Sequence, residues 1–592
     1  MKEREVDSAL GALREAGLVH IMTPKKDSRE SEDIAEKLER CKQAYGILEQ
    51  HIGSEKPTDQ KKDLSEVIDQ VLTLDDEISD IHDRLRSLNH MERFFEEWGS
   101  FDPDQVHQLR RQGVVLQFLR LKHEELPGDI PYIVLKREKT HTRIMAVDLT
   151  GDSTSHEETV SIPELGPESI IQERNRLHKR IAEIEACYAE LSWSVKPLGK
   201  LMESLKQDLE FHEVKNGLEE AEPVRYLVGF VPKENLHLVS ELASQQAWAL
   251  MIDDPHEEEP VPTKLKNRPF VRMIEPIFEI LGTVPGYREY DISGLFLGFF
   301  AIFVAMIIGD AGYGALFLVI TLVLTMKARK ITKLTGLLYL LSTTTLVWGA
   351  LTGTWFGSET LASWPPLHAL MMPRLASFPD IAQVETIITQ QNVMYLCFII
   401  GTVQLSIACL MNFKRDVPKL SSFAHIGWLM MIIGLYFLVL NLVLGFDLPD
   451  WAVYLIGGGF ALIIIFGSQQ PGRNFFKGLA YGLAGLFTTF LDSISSFSNI
   501  ISYIRLFAVG MASVAISSSF NSMAAPMLGG VLFPAALLIL LIGHGLNIVM
   551  ALLSVFVHGI RLNMLEFSGQ LSMEWTGFKY APFGENRKIQ DN

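Results

Sequence analysis

Seven apolar runs crowd the second half of this sequence, at about 294–326, 334–356, 393–412, 422–446, 451–468, 476–518 and 533–565. Runs of this length leave the backbone little choice. Inside a bilayer every N–H and C=O must find a partner within the protein, and a single apolar segment achieves that as a helix. The first half is different: charges are dense and apolar residues recur at heptad spacing. The 592 residues, 48% hydrophobic with a net charge of −17, therefore average over a soluble arm (1–290), a membrane domain (291–572) and a polar tail (573–592). The acidic balance sits mostly in the arm and argues against nucleic acid as a partner. The opening "MKEREVDSAL" lacks the apolar core of a signal peptide, so the arm is expected to stay in the cytoplasm. Cys41, Cys187, Cys397 and Cys409 show no CxxC spacing and read as unpaired packing residues in a reducing compartment.

Within the arm, Leu64, Val67, Val71, Leu74, Ile78, Ile81, Leu85 and Leu88 step by threes and fours. Leu177, Ile181, Ile184, Tyr188, Leu191, Val195, Leu198, Met202, Leu205 and Leu209 do the same. Both read as coiled-coil seams. Two helices of some 40 residues, each about 60 Å long, would pair antiparallel into a rod. A shorter seam runs from Ile34 to Leu48 before Pro57 interrupts. "DIPYIVLKRE", "HTRIMAVDLT" and "PVRYLVGFVP" alternate like strands, and "PKENLHLVSELASQQ" reads as helix. The predicted fold is thus mainly α: cytoplasmic α/β lobes on a long antiparallel coiled-coil stalk, followed by a polytopic α-helical membrane domain of about eight helices. The "LGK" ending at Lys200 lacks the upstream glycine of a phosphate loop, and HExxH and GxSxG are absent. The arm reads as a mechanical or docking element, with no cofactor and no metal site.

The first apolar run carries "IIGDAGYGAL" at its centre, where the chain either continues as one helix or turns back as a hairpin. Charge decides. With a hairpin, Lys327, Arg329, Lys330 and Lys333 face the cytoplasm, followed by Lys414, Arg415 and Lys419, then Arg473 and Lys477, then Lys579, Arg587 and Lys588; only Arg374 falls on the far side. A single span moves the first two clusters outside and breaks the positive-inside rule. The reading is eight membrane helices with both termini cytoplasmic. Asp310, at the turn, reads as a helix cap. Gly349, Gly353 and Gly357, four apart, suit close helix packing.

Two of the runs carry polar stripes. On an ideal helix Asp492, Ser495, Ser498, Asn499, Ser502 and Arg505 fall within an arc of about 140°, and His544, Asn547, Ser554, His558 and Arg561 within about 100°, with Glu566 just off the edge. Serines in such runs ordinarily bond back to their own helix, and an arginine near a helix end ordinarily snorkels. Arg505, with apolar sequence to both sides, is different. An arginine at that depth costs at least roughly 2.5–3.5 kcal/mol and demands a counter-charge or a water cavity. Apart from Asp310, Asp492 and Glu566 the membrane helices carry almost no carboxylates, so its partner is expected on another subunit.

"SYIRLFAVGMA", "VHGIRLNMLEFSGQ", "IIGDAGYG", "VPTKLKN" and "VPGYREYDIS" together resemble the large membrane subunit of the vacuolar/archaeal-type rotary ATPases, called subunit a or subunit I. The resemblance is specific from about 262 to 572 and mainly architectural before that. It implies a ring of small proteolipid subunits, each with a mid-membrane carboxylate, turning against this chain as stator. Arg505 matches the family's essential arginine, and His558, Arg561 and Glu566 match its second motif. The implied ion path runs through two half-channels, one lined by Asp492, Ser498, Asn499 and Ser502 and the other served by His558 and Glu566. The arm would tie the stator to the peripheral-stalk subunits E and G, with the central-stalk subunit (d or C) nearby. The chain would be no enzyme on its own.

Two departures stand out. The chain begins directly in "VDSALGALREAGLVHI", which resembles the family's first helix, without the strand that usually precedes it, and Ala551 stands where eukaryotic relatives tend to carry an acid. The competing reading is a secondary ion-coupled transporter with a cytoplasmic regulatory domain. It should carry its own exchangeable mid-membrane carboxylate and an inverted repeat, and neither is evident. A pure scaffold leaves Arg505 without a purpose.

Overall fold

The computed structural model describes all residues except 1–5, 23–27, 52–62, 123–130, 138–140, 149–158, 161, 222–223, 257–258, 471, 473, 530 and 585–592. Pro57, Arg473, Arg587 and Lys588 lie outside the described residues, as do the ends of the first two strand-like segments. By packing the chain forms two compact units, 1–251 with 582–592, and 252–581.

The first unit is built on four long helices, α2 (Arg29–Glu49), α3 (Leu64–Trp98), α5 (Pro167–Leu191) and α6 (Val195–Asn216). Arg84 bonds Glu173 at 2.9 Å, Arg180 bonds Glu77 at 2.7 Å and Arg174 bonds Glu92 at 2.7 Å, so α3 and α5 run antiparallel. Asn216 reaches Ser28 at 2.6 Å and Cys41 donates to the Leu198 carbonyl at 3.7 Å, which sets α6 antiparallel to α2. The Arg180 fork holds Glu77 below the usual carboxylate range, chiefly by hydrogen bonding. Cys41, Leu48, Val67, Val71, Ile184, Tyr188 and Leu198 make one continuous buried seam. The second predicted seam is not a single helix: a 3-10 turn, Ser192–Ser194, breaks it. Ser192 and Ser194 donate their hydroxyls to Ala189 and Leu191 carbonyls, both at 2.7 Å, which competes with the helical pattern, and Pro197 brings no N–H of its own to the new first turn.

A four-stranded antiparallel sheet, in the order β3 (Tyr132–Arg137), β4 (His141–Asp148), β2 (Val115–Lys122), β5 (Thr159–Val160), forms one lobe. Its β2 strand was not singled out in the sequence. Phe118 on β2 packs into an aromatic cluster with Phe94, Phe95 and Trp98 at the end of α3. In a second lobe β1 (His20–Ile21) pairs with β8 (Gly229–Phe230), and β6 (Glu219–Ala221) with β7 (Val224–Tyr226). The helix α7 (Leu236–Gln245) covers them, contributing Val239 to a core shared with Leu10 and Leu13 of α1 (Val6–Ala16). Phe583 completes this core. It donates its N–H to the Val19 carbonyl at 2.8 Å, is 3% exposed, and stacks on Phe211.

Among its described residues the second unit holds eight apolar helices. Six are long and apolar enough to cross a membrane and two, Ser293–Ile308 and Asp450–Phe466, are shorter. A short helix, α8 (Glu275–Leu281), packs Phe278 against Phe296 of α9 (Ser293–Ile308). The hairpin is real. Gly349 of α11 (Lys333–Thr352) lies against Ala311, and Leu346 against Gly314, so α11 runs antiparallel to α10 (Ala311–Ala328). Meanwhile Gly336 of α11 and Gly294 of α9 both sit against the turn Val271–Ile274, so α11 runs parallel to α9. The chain therefore reverses at Gly309 (φ +67°) and Asp310. With 16 residues α9 reaches about 24 Å, short of a hydrocarbon core of about 30 Å.

Asp310 pins the reversal. Its Oδ1 accepts from the N–H groups of Gly312 (2.7 Å), Tyr313 (3.2 Å) and Phe356 (2.9 Å), and its Oδ2 from Gly357 (2.9 Å). The glycines after Gly349 serve this loop and not a helix face: Gly353 (φ +71°) ends α11, and Gly357 (φ +61°) lies beyond it against Ser517. Spacing by four was misleading because the helix stops at Thr352. Three short helices, α12 (Glu359–Ala362), α13 (Pro365–His368) and α14 (Pro379–Ala382), lead to α15 (Thr386–Asp416), α16 (Ser422–Val439), α17 (Asp450–Phe466) and α18 (Phe475–Ala484). The remaining spans are α19 (Leu486–Ser502) running into α20 (Ile504–Ala524), and α21 (Phe533–Ser554) continued by π-helical turns to Gln570. Asp310→Ala strands four buried N–H groups at roughly 1–3 kcal/mol each and should prevent accumulation of the folded subunit. Asp310→Asn keeps one acceptor oxygen and should accumulate with a lowered melting temperature. Purification yield and thermal melting of both variants check this.

Candidate functional site

The polar stripes sit on two neighbouring antiparallel stretches, α19–α20 and α21 with its extension. Gly543 lies against the Phe520 ring, Asn547 donates to the Ser513 carbonyl at 2.9 Å, and Arg505 meets Glu566. Arg505 Nη2 stands 3.7 Å from Glu566 Oε1, and Arg561 Nε stands 3.7 Å from the same oxygen. Both distances exceed hydrogen-bond length, so the two arginines meet this carboxylate through charge and not through hydrogen bonds. The Glu566 side chain is 5% exposed, that of Arg505 23% and that of Arg561 53%.

This corrects the expectation that Arg505 lacks a partner in its own chain. An ideal helix leaves Glu566 off the stripe, but two π-helical turns, Val555–Gly559 and Leu562–Phe567, spend extra residues per turn and bring its carboxylate round to α20. The pair is loose. Arg505 Nη1, Glu566 Oε2 and His558 Nδ1 are buried and make no hydrogen bond among the described residues.

His558 lies within electrostatic reach of both arginines, and Ser502 stands beside the Glu566 carboxylate while donating to the Asn499 carbonyl at 2.7 Å. The fold thus brings together Ser502, Arg505, His558, Arg561 and Glu566. Asp492 and Ser498 are exposed and Asn499 half-buried, strung along α19 toward its start. Apolar side chains along these helices are about half exposed or more: Phe487, Phe490 and Ile494 on α19, and Leu541, Val549 and Leu553 on α21. The upper part of the second stripe departs from the cluster: His544 and Asn547 meet Tyr313 of α10.

No protein-family model matches the chain. Among curated proteins it is similar to a V-type ATP synthase subunit I of Borreliella burgdorferi, 35% identical over 98% of this chain and 97% of the relative. A V-type ATP synthase subunit I of Treponema pallidum is 32% identical over 98% and 97%. The chain belongs to the V-type ATP synthase subunit I family. An A-type ATP synthase subunit I of Methanocaldococcus jannaschii is more distant, 28% identical over 61% of this chain and 55% of that one. As a subunit I the chain is a membrane subunit of an ATP synthase complex and the stator of its membrane sector, not an enzyme by itself, and the transporter reading falls away.

Three residues of this subunit I escaped the sequence reading. Tyr503, at the junction of α19 and α20, donates to Gln404 Oε1 at 2.8 Å, and Gln404 Nε2 donates to Asn563 Oδ1 at 2.8 Å. All three are fully buried. Tyr503 precedes Arg505 by two residues and Asn563 lies between Arg561 and Glu566, so the Gln404 amide fixes the spacing of the two charged elements. The available signal was a lone glutamine inside the apolar run "CFIIGTVQLSIACL". Gln404→Leu leaves two buried polar groups unpaired, at roughly 1–3 kcal/mol each. It should lower both the melting temperature of the assembled complex and its ATP-driven ion uptake, whereas a variant of the exposed Tyr454 should change neither.

Proposed function

We propose that Arg505 is the fixed charge against which the carboxylates of a rotating proteolipid ring exchange their ions, and that this chain forms both aqueous half-channels. The observation that carries the reading is the loose Arg505–Glu566 pair, a carboxylate shared by two arginines at 3.7 Å on helices apolar enough to cross a membrane. A partner only at 3.7 Å gives the half-buried guanidinium a counter-charge yet leaves Nη1 without a hydrogen-bond partner among the described residues. A ring carboxylate arriving there as an anion gains about 4 kcal/mol at 4 Å and an effective dielectric near 20. Its ion is lost at that point and reloaded from the offset half-channel before the site returns to lipid. The fixed positive charge also repels cations between the half-channels and blocks a leak. Arginine suits the position because it stays protonated whatever the local dielectric.

In this reading Asp492, Ser498, Asn499 and Ser502 line the half-channel that opens toward the start of α19, and His558, Arg561 and Glu566 complete the ion path. In the same reading both termini lie on the cytoplasmic side, the orientation that the positive-inside rule favours for the basic residues Lys327, Lys330, Lys414, Arg415, Lys477 and Lys579. The arm, 1–290, takes the peripheral-stalk subunits E and G and resists torque through its paired helices, with the central-stalk subunit (d or C) beside it.

The test is ATP-driven ion uptake into vesicles holding the assembled complex, each variant first purified and its subunits counted. Arg505→Ala should assemble and lose transport, Arg505→Lys should lose most of it, and Arg561→Ala should only weaken it. Normal pumping by Arg505→Ala would sink the proposal.

A further inference from the structure

A second polar cluster lies far along the same two helices from Arg505, about 14 residues or roughly 21 Å of helix above His558. Tyr313 Oη and His544 Nδ1 are 2.8 Å apart, His544 Nε2 and Asn521 Oδ1 3.2 Å, and Asn521 Nδ2 donates to the Phe356 carbonyl at 2.7 Å. Asn547 Nδ2 donates both to Tyr313 Oη, at 3.2 Å, and to the Ser513 carbonyl, at 2.9 Å. The network sets the imidazole's tautomer. The Asn521 amide nitrogen is committed to a carbonyl, so its oxygen must accept, Nε2 must carry the hydrogen, and Nδ1 must accept from the tyrosine hydroxyl. The rings of Tyr313 and Phe356 stand 5.9 and 6.1 Å from the imidazole. Asn547 Oδ1 is buried without a hydrogen-bond partner among the described residues, in a side chain 1% exposed.

From this geometry we infer that His544, gated by Tyr313, is the proton-exchanging residue of the half-channel remote from the start of α19, so that the ion this stator passes is a proton. The inference rests on the stator reading above. Over the stretch between His544 and Arg505, α21 carries Asn547, Ala551 and Ser554 and α20 carries Ser517, Ser513 and Gly510, and Asn547 meets the Ser513 carbonyl across the pair. Gly510 is held so close to the Met306 carbonyl that a side chain there would clash. None of these carries a group that titrates. A proton leaving the ring reaches the cluster as hydronium and adds to Nδ1, giving imidazolium and water. The Tyr313 hydroxyl turns its hydrogen away and accepts instead. A water on the outer side then takes a proton from the imidazolium, which restores the neutral ring. The titratable groups facing His544 are Tyr313 and, from the turn before α10, Asp310, whose carboxylate is already engaged by four N–H groups. From α20 and the loop after α11 it meets only Asn521 and Phe356 among the described residues.

The test measures uptake into vesicles carrying the whole complex, with lumenal pH set between about 5 and 8, the interval in which imidazole changes charge. Arg505→Ala, His544→Gln and Tyr313→Phe are compared with the unaltered complex. The amide of His544→Gln can keep hydrogen bonds to Tyr313 or Asn521 but cannot carry the proton. It should assemble, lose rate about tenfold or more, and lose the inflection of rate against lumenal pH. Tyr313→Phe should keep the inflection and displace it. Unchanged rate and pH profile in His544→Gln, with Arg505→Ala inactive, overturns the relay while leaving the stator reading intact; transport by Arg505→Ala overturns the stator reading itself. Should His544→Gln fail to assemble, the other two arms decide. An unaltered complex whose uptake follows sodium and ignores lumenal pH, or a Tyr313→Phe profile identical to the unaltered one, overturns the inference.

Discussion

One carboxylate, Glu566, makes it possible for two arginines to sit where the chain crosses a membrane. It is almost completely buried and stands 3.7 Å from each of Arg505 and Arg561. A buried cation without a counter-charge is costly, and removing one partner of a buried pair costs more than the pair itself is worth. The helices α20 and α21, the π-turns that rotate Glu566 into place, and the Gln404 bridge that sets their spacing all answer to this charge balance. The balance is left incomplete: the distances are too long for hydrogen bonds, and Arg505 Nη1 has no hydrogen-bond partner among the described residues.

Asp310 shows the opposite solution in the same unit. Its carboxylate accepts four backbone N–H groups from two separate segments. A saturated carboxylate locks the reversal between α9 and α10, whereas the carboxylate between the two arginines keeps an oxygen without a hydrogen bond among the described residues. Few acids are tolerated at this depth, and the two that are buried do different work because of what surrounds them.

Much of this was legible in the linear sequence. Heptad seams gave the helices of the arm, apolar runs gave the eight helices of the second unit, and the basic clusters favoured the hairpin that Gly309 and Asp310 make. The misses have a common cause. The break at Ser192–Ser194, the end of α11 at Thr352 and the π-turns after Ser554 are local departures from ideal helical geometry, and a helical wheel assumes there are none. Strand β2 was overlooked because apolar residues fall at both alternating sets of positions, Leu116 and Phe118 in one and Leu119 and Leu121 in the other, so "VVLQFLRLK" lacks a clean alternation.

The sequence by itself determined which stretches form charged heptad helices and which form apolar helices, and it singled out Arg505 as a cation set among apolar residues, because hydrophobic period and the cost of buried charge are local properties of a chain. Only the tertiary structure decided what that arginine faces. Whether Glu566, Gln404 or His544 lies beside a given partner depends on helix pairing, register and one extra residue per turn, and these are fixed by packing between segments far apart in the chain.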